Sequence, residues 1–460
     1  MVSANTKANW AIVGGGFLGM TLALRLAKQG KRVTLFEAAP SLGGLASAWQ
    51  LGDVIWDQHY HVTLFSDSFV RSLLRELGLE EQMRWAKTRT AFYADAKLHS
   101  MSNLLEFMRF PVLNLTDKIR LGATILRASR IKNSRSLEGI RVKEWLEKWS
   151  GHRTTEKIWL PLLRAKLGDS HEETSAAFIW ASIARMHAAR RTRSKTELFG
   201  YIPGGYARII ERFAEVLRTE QVNCELGRPV TEIIGTVDGK IEVRVQGEYA
   251  QTFDEVIVTA AAPVVIRACP QLTDAEKHQW QQIRYQGIIC ASLLLKNSLA
   301  DFYITNITDS DLPYTAVIEM SALVDKDQFR GRALVYLPKY VSADSPDFGL
   351  SDAQIREKFL AGLEKMYPAF RREDVLCFQV SRVKYLLPIP TLNYSDRLPA
   401  TTTSIPGLHI VNSAHIVNGT LNVNETVQLA ETTAKRFATR ATISAQKNTI
   451  IEHEFAKAHS

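Results

Sequence analysis

The residues best suited to chemistry are three glycines close to the start of the sequence. Gly14, Gly16 and Gly19 follow an apolar strand at 11–13, and helical apolar spacing begins at Met20. In such a unit the first glycine permits a tight turn, the second lets the backbone approach a pyrophosphate, and the third lets helix and strand pack closely. The start of the helix then presents unpaired N–H groups and a partial positive charge to the phosphates. The pattern predicts a dinucleotide site.

An acidic residue and a glycine doublet follow this unit. A second strand at 32–36 ends at Glu37, whose carboxylate can hydrogen-bond a ribose diol and would repel a 2′-phosphate. Gly43 and Gly44 come shortly afterwards. Taken alone, the stretch 40–44 could also be an ordinary turn.

Together with three further segments, these motifs resemble the FAD-dependent amine-oxidase superfamily, in particular the branch of protoporphyrinogen oxidase, phytoene desaturases and UDP-galactopyranose mutase. The further segments are WDQHYH at 56–61, GYIPGG at 200–205 and a block at 406–425. The resemblance implies FAD, because flavoproteins of this type place such a doublet against the pyrophosphate and ribityl chain. The cofactor contacts that it implies are made by Gly14, Gly16, Phe17, Leu18, Gly19, Glu37, Ala38, Gly43, Gly44, Leu45, His59, Val230, Asn412, Thr420, Leu421 and Asn422.

Two histidines stand where the resemblance places the flavin ring. His59 replaces a small residue, usually glycine, whereas His61 matches a histidine that many relatives carry. Histidine is the side chain most easily poised near neutral pH, so either ring could donate a proton or a hydrogen bond to flavin or substrate. The alternative is that both are structural, hydrogen-bonded residues. We take His61 as the candidate catalytic residue.

The later contacts also follow from the resemblance. Val230 is expected to lie beside the adenine through its backbone. Asn412 and Ser413 replace the Gly-Asp pair of relatives, and Asn412 could still donate to ribityl or phosphate oxygens. Backbone donors at 420–422, on a helix N-terminus, would stabilise negative charge on reduced flavin.

A helical cap is predicted between 102 and 187. Its tryptophans have helical spacing, which is more typical of a core than of a cofactor box; they are Trp145, Trp149, Trp159 and Trp180. The resemblance places Arg164 and Lys166 along the substrate cavity. A second basic cluster could bind an anionic substrate or be an exposed loop; it consists of Arg185, Arg190, Arg191 and Arg193.

The net charge of +9 is concentrated in this cap, since 101–200 holds 19 Lys and Arg against 10 Asp and Glu. Such a field could attract an anionic substrate or an anionic membrane surface, although solvated helix faces are the plain alternative. Nucleic acid is not expected as a partner, because no nucleic-acid fold accompanies the charge.

Cysteine usage and hydropathy limit the class of protein further. The four cysteines are far apart and match no metal or disulfide spacing, so we expect neither. No apolar run reaches the roughly 18 residues of a membrane span. The polar stretch 1–9 has no secretory pattern, which favours the cytoplasm.

The predicted fold is α/β, with a Rossmann-like FAD domain of parallel sheet plus β-meander and an α+β substrate domain of antiparallel sheet and helical cap. A chain of 460 residues is too long for one compact core. The predicted FAD-domain segments are 1–85, 201–275 and 396–440. The stretch 86–200 is predicted to form the helical cap and part of the substrate domain, 276–395 the substrate sheet, and 441–460 a polar tail.

The resemblance implies an FAD-dependent oxidoreductase that removes a hydride from a small, apolar substrate such as an isoprenoid or tetrapyrrole. One alternative is a non-redox sugar-nucleotide mutase resembling UDP-galactopyranose mutase. Another is a flavin-binding scaffold or redox sensor without turnover. The sequence does not indicate an oligomeric state.

Overall fold

The computed structural model describes residues 7–190, 198–247, 250–417 and 419–439. A five-stranded parallel sheet lies at the centre of one half of the molecule. In spatial order its strands are Asn223–Leu226, Arg32–Glu37, Asn9–Val13, Glu255–Val258 and Leu408–Ile410. The central strand is apolar and its Ala11 and Ile12 are fully buried, as expected for a parallel sheet covered on both faces. The helix Phe17–Lys28 follows it directly.

A three-stranded antiparallel meander packs beside this sheet, as predicted. Its strands are Val230–Gly235, Ile241–Val245 and Gln251–Phe253. The sequence at 224–233 has strand character, and the structure divides this stretch between two strands of different sheets. The chain leaves the parallel sheet at Leu226, turns through Gly227 at φ +65° and Pro229, and enters the meander at Val230. Proline cannot donate to a ladder, so the strand breaks there.

A seven-stranded sheet forms the floor of the other half. In spatial order its strands are Val375–Pro388, Tyr285–Leu295, Ala333–Ser342, Ala316–Glu319, Ile304–Ile307, Thr90–Ala94 and Lys97–Ser100. The expectation of an antiparallel sheet holds for all pairs but one, since Ile304–Ile307 runs parallel to Thr90–Ala94. The helix Asp352–Met366 covers one face, and its apolar side chains share a core with Ile289 and Leu293 of the sheet.

The cap over the other face of the floor is helical, as predicted. Its helices are Leu104–Arg109, Leu115–Arg130, Arg135–Glu138, Val142–Ser150, His152–Thr154, Leu160–Leu167 and Ala176–Arg190, with a π-helical turn at Thr155–Trp159. Trp145 and Trp180 are buried in its core, and the indole N–H of Trp180 donates to the carbonyl of Ala128 at 3.1 Å. This supports the structural interpretation of those two tryptophans.

The remaining elements connect the two halves. They are the hairpin Ala48–Leu51 with Val54–Asp57, the small sheet of Thr63–Leu64, Leu198–Tyr201 and Arg84–Lys87, and the helices Ser68–Glu76, Gly205–Thr219, Ala262–Ala268, Asp274–Gln281 and 423–439. Within the described ranges, none of the helices combines the length and apolar character needed to span a bilayer. Strands of the parallel sheet come from three separate stretches of chain; the domain boundaries given above stay predictions.

Candidate functional site

The fingerprint loop has the conformation that its glycines require. Gly14 has φ +115°, and a Cβ there would overlap Oγ1 of Thr259, while a Cβ on Gly19 would overlap the carbonyl of Gly14. The helix begins at Phe17, so Phe17, Leu18 and Gly19 supply its first peptide N–H groups. Those groups have no partner inside a helix and are the donors that phosphates use.

The glycine doublet lies directly against this loop. The N–H of Gly43 donates to the carbonyl of Gly15 at 2.9 Å, and a Cβ on Gly44 would lie 3.1 Å from Cα of Gly16. Gly43 has φ +120°, which favours glycine. Two stretches of backbone without side chains therefore face each other, with the partly exposed Leu45 at the end of the second. This is a cradle that side chains at either glycine would fill.

Glu37 lies at the end of its strand, beside the fingerprint loop. Its Oε2 accepts from the N–H of Gly15 at 2.6 Å, and its Oε1 accepts from the N–H of Ala39 at 2.8 Å. A carboxylate has about four acceptor positions, so it retains capacity for ribose hydroxyls. Ala38 is exposed next to it.

Two backbone hydrogen bonds hold the segment before Val230 beside Glu37. The N–H of Gly227 donates to the carbonyl of Ala39 at 2.8 Å, and the N–H of Arg228 donates to the carbonyl of Glu37 at 2.9 Å. The start of the meander at Val230 therefore lies close to the strand end that carries Glu37, where the resemblance expects the adenine.

His59 joins the doublet loop to the floor. Its Nδ1 lies 3.3 Å from the carbonyl of Leu45, and its Nε2 lies 3.0 Å from Oγ of Ser381. Burial lowers the pKa of His59 to about 4, so the ring is neutral. Because a carbonyl only accepts, Nδ1 carries the hydrogen, and Nε2 accepts from the Ser381 hydroxyl.

His61 lies one residue beyond Tyr60 and packs on the ring of Tyr206, with centroids 4.9 Å apart. Its Nδ1 donates to the carbonyl of His59 at 2.9 Å. Burial and the neighbouring His59 lower the pKa of His61 to about 4. In the neutral ring, Nε2 is therefore an unprotonated acceptor. The sequence suggested a proton donor here, whereas this geometry suits a group that accepts a proton.

Sequence reasoning missed Asp57, which is buried two residues before His59. Its Oδ1 accepts from the N–H of Tyr206 at 2.7 Å, at the start of the helix Gly205–Thr219. Burial raises the pKa of Asp57 to about 8, and the hydrogen bond from Tyr206 opposes that rise. Asp57 thus positions the helix on which His61 packs. The Asp at the second position of the WDQHYH segment was the only available signal.

Asn412 is almost fully buried and is held by the protein itself. Its amide donates to the carbonyl of Ala260 at 2.8 Å, and its Oδ1 accepts from the N–H of Ala414 at 3.0 Å. These two contacts engage the amide oxygen and one amide N–H. A hydrogen bond from Asn412 to the cofactor stays a prediction, and the second amide N–H would have to donate it.

The last predicted contacts lie at the start of the helix 423–439. Oδ1 of Asn422 accepts from the N–H of Glu425 at 3.1 Å, which caps this helix. Thr420 and Leu421 line a cleft together with Phe178 of the cap and Leu387 of the floor. The cleft thus joins the segment predicted to face the flavin to both parts of the substrate half.

The two cap cations predicted along the cavity have different environments. Arg164 is exposed, whereas Lys166 points inward, with its Nζ 5.8 Å from the ring centroids of both Phe178 and Tyr340. Arg185 forms an ion pair with Asp67 at 2.9 Å. Arg191, Arg193 and the side chain of Arg190 lie outside the described residues.

Two other groups of potentially reactive side chains have structural explanations. Glu147, His152 and Glu156 lie close enough to hold a cation, but Lys143 forms ion pairs with both carboxylates. The four cysteines are free thiols; they are Cys224, Cys269, Cys290 and Cys377.

Comparisons with known proteins agree with this geometry. Residues 19–436 match the family model described as flavin containing amine oxidoreductase. The chain is 23% identical to the 15-cis-phytoene desaturase of Synechococcus elongatus over 388 residues, which cover 78% of this chain and 80% of that one.

Solved structures share the fold. An oxidoreductase from Methanosarcina mazei superposes with a TM-score of 0.72 at 17% identity, covering 93% of this chain and 100% of that one. Reduced UDP-galactopyranose mutase superposes with a TM-score of 0.71 at 15% identity, covering 92% and 94% of the two chains. At these identities the likeness establishes the fold alone.

Proposed function

This chain belongs to the family of flavin containing amine oxidoreductases and is an FAD-dependent oxidoreductase, and from that premise we propose that it desaturates or oxidises an apolar substrate bound under the helical cap. The observation that carries the proposal is the cleft between Phe178, Leu387 and Leu421. It borders Thr420 and Leu421, and its lining is mostly apolar. Its free volume is about 20 Å³, so it marks the apolar seam between cap, floor and cofactor-binding half at which we place the substrate, not a cavity already shaped to a hydrocarbon.

The residues around the two glycine loops fit FAD. The backbone cradle of Gly16 and Gly44 leaves room for a pyrophosphate, the helix start at Phe17 offers N–H donors, and Glu37 offers oxygens to a ribose. When bound, FAD supplies a two-electron acceptor that takes a hydride at N5. The resemblance leaves oxygen, a quinone or another acceptor to reoxidise it.

We propose that His61 accepts the proton that leaves with this hydride. A desaturation breaks two C–H bonds; one would release a hydride, for which bound FAD would be the acceptor, and the other a proton, which needs a base. Nε2 of His61 is the suitable atom, because its ring is neutral and Nδ1 is already committed to the carbonyl of His59. His59 acts as a positioning residue, since it ties Leu45 to Ser381.

The test is an anaerobic incubation of the FAD-loaded protein with phytoene, protoporphyrinogen, putrescine and UDP-galactopyranose, one at a time. We expect an apolar compound to bleach the flavin absorbance and to be recovered with two hydrogens fewer. Bleaching by putrescine alone would assign an amine oxidase instead. Isomerisation of the UDP-sugar by reduced protein, without net oxidation, would favour the mutase.

The mutase alternative has weaker support. Arg185, one of the arginines considered for an anionic substrate, is already paired with Asp67 at 2.9 Å. An unreactive scaffold is also less favoured, because the cap and floor enclose a cleft beside the predicted flavin segment.

We further propose that the enzyme is cytoplasmic and contacts an anionic membrane surface through its cap. Two consecutive helices expose large apolar side chains, which are Leu104, Leu105, Met108, Leu115, Ile119 and Leu126. Leu115, Ile119 and Leu126 share one face of their helix by spacing. Exposed arginines directly follow three of the apolar residues and are Arg109, Arg120 and Arg127. We call these nine residues the apolar–basic stripe.

Such a stripe fits the interface of an anionic bilayer, where apolar side chains enter the headgroup boundary and arginines meet lipid phosphates. We expect the protein to sediment with phosphatidylglycerol vesicles, less with phosphatidylcholine vesicles, and less again at high salt. Replacing Leu105, Leu115 and Ile119 by Ser should abolish sedimentation. The matched control replaces Ile55, Val237 and Leu376, which are exposed elsewhere, and should sediment like the wild type. Equal sedimentation of both variants would contradict the assignment.

A further inference from the structure

We infer that Lys166 and Gln286 form a subsite for an anionic group of the substrate, a carboxylate or a phosphate, where the cap meets the floor. This inference rests on the proposed function, because it takes the cleft lined by Phe178 and Leu387 as the place of the substrate's apolar body. It narrows the substrate class to apolar molecules that carry one anionic group.

Lys166 is a cation without a counterion. It lies in the helix Leu160–Leu167 and faces inward, over the rings of Phe178 and Tyr340. At 5.8 Å each, these ring contacts are near the outer limit of a cation–π interaction. Across the described part of the chain, Lys166 forms no ion pair or hydrogen bond. Burial and the charge of Arg185 both lower the pKa of Lys166, so the charged form lacks the anion that would stabilise it.

Gln286 is a second donor without an acceptor at the same place. Its side chain is 1% exposed, and its Nε2 has no hydrogen-bond partner among the described residues. Buried amides are nearly always hydrogen-bonded, so an orphaned N–H group of this kind needs an explanation. A bound oxygen ligand would provide one.

Lys166 and Gln286 both lie where the helix Leu160–Leu167 of the cap packs against the floor. Gln286 is two residues before Ile288, whose register partner is Tyr340, so Gln286 and Tyr340 project from the same face of the floor. A Cβ on Gly168, two residues after Lys166, would lie 4.0 Å from Nε2 of Gln286. The end of the Lys166 helix therefore packs over Gln286.

This contact between the cap and the floor borders the cleft, through one residue of the floor and one of the cap. Leu387, the register partner of Gln286, lines the cleft, and so does Phe178, which lies beside Nζ of Lys166. A ligand in the cleft would thus have an apolar wall for its body and, at one end, an ammonium and an amide N–H for two oxygens of an anion. Hydrogen bonds from a charged donor to an anion are the strong ones.

The test uses three probes with the same tail, namely geranylgeranyl phosphate, geranylgeranoic acid and geranylgeraniol. Their dissociation constants for the FAD-bound protein are measured by calorimetry in the absence of vesicles. We expect at least one of the anions to bind about tenfold or more tightly than the alcohol. The tighter of the two anions identifies the group as a phosphate or a carboxylate.

Substitutions test which residues cause the preference for the anionic probes over the alcohol. Lys166→Gln should remove the difference between anion and alcohol while leaving the affinity for the alcohol unchanged, and Gln286→Leu should reduce it. Arg164→Gln, which removes an exposed charge from the same helix, should keep the full preference, and Lys166→Arg should keep part of it. Equal binding of all three probes, or an undiminished preference in Lys166→Gln, would overturn the subsite. This binding measurement requires no turnover. A protein that fails to oxidise any substrate would therefore overturn the proposed function without affecting the interpretation of the binding data.

Discussion

At the scale of single residues, the chemistry depends on which nitrogen of His61 is free. Since Nδ1 donates to the carbonyl of His59, only Nε2 is left for a substrate or a flavin, and in the neutral ring it can act only as an acceptor. His59 cannot take over this role, because both of its ring nitrogens have protein partners. A neutral acceptor beside the flavin is the feature that the proposed proton transfer requires.

Replacing His61 by Ala should retain FAD and lower turnover by about 10²–10⁴-fold, the usual effect of removing a positioned proton-transfer group. The neutral ring is the active form, and burial lowers the pKa of His61 to about 4. In the wild type, kcat/KM should therefore stay level through neutral pH and fall only as the pH approaches 4. Full turnover in His61→Ala would remove this residue from the catalytic mechanism.

Gly14→Val should abolish flavin binding with little change in secondary structure. Gly14 has φ +115°, and a side chain there would collide with Thr259 in the turn that positions the backbone donors. Flavin content is read from the absorbance of the purified protein. The control is Gly122→Val on an exposed helix face, where a Cβ meets no atom within 4 Å. Wild-type flavin content in Gly14→Val would show that the cofactor binds elsewhere.

The glycines and Glu37 could be predicted because their roles depend on local conformation and fixed spacing. Asp57 and Gln286 could not. Asp57 meets Tyr206 at a separation of 149 residues, and Gln286 is notable only because its amide is buried without a partner. The tautomers of the histidines likewise depend on distant Ser381 and on burial.

At the scale of elements, the start of the helix Gly205–Thr219 is held by the buried carboxyl group of Asp57. Asp57→Leu leaves the N–H of Tyr206 without an acceptor and should lower the free energy of unfolding by about 1–3 kcal/mol. Asp57→Asn keeps an acceptor oxygen and should preserve the helix and the packing of His61. Urea unfolding of both variants, followed by circular dichroism, measures the difference.

The difference in unfolding free energy between Asp57→Asn and the wild type should change with pH in one direction. Burial raises the pKa of Asp57 to about 8, so between about 4 and 8 the folded protein holds a proton that the unfolded chain releases. Asp57 therefore contributes less stability as pH rises through this window. Relative to the wild type, Asp57→Asn should become progressively more stable from pH 4 to 8. A difference that is constant with pH would show that Asp57 is ionised in the fold.

Most elements could be predicted from local patterns, including the cap helices, the hairpin after Ala48 and the strands of the floor. The exceptions depend on distant partners. Ile304–Ile307 pairs in parallel with Thr90–Ala94, a contact that no local alternation indicates. Gly227 and Pro229 mark the break between Leu226 and Val230, but only the fold shows that the two strands belong to different sheets.

At the scale of the whole molecule, the cap carries two separate kinds of positive charge. The apolar–basic stripe faces outward, whereas Lys166 faces inward, over the rings of Phe178 and Tyr340. The sequence located the charge surplus in the cap but could not divide it between these two surfaces, because the division depends on which helix face is buried. Arg164 and Lys166 lie only two residues apart, yet Arg164 is exposed while Lys166 faces the ring of Tyr340 in the floor.

The central claim is that FAD binds across the two facing glycine loops, and the most direct measurement is the identity of the ligand that the purified protein releases on heating. We expect mass spectrometry of the supernatant to find FAD, close to one per chain, in the wild type and almost none in Gly14→Val. Finding FMN or a nicotinamide dinucleotide instead, or finding FAD equally in both proteins, would contradict the account.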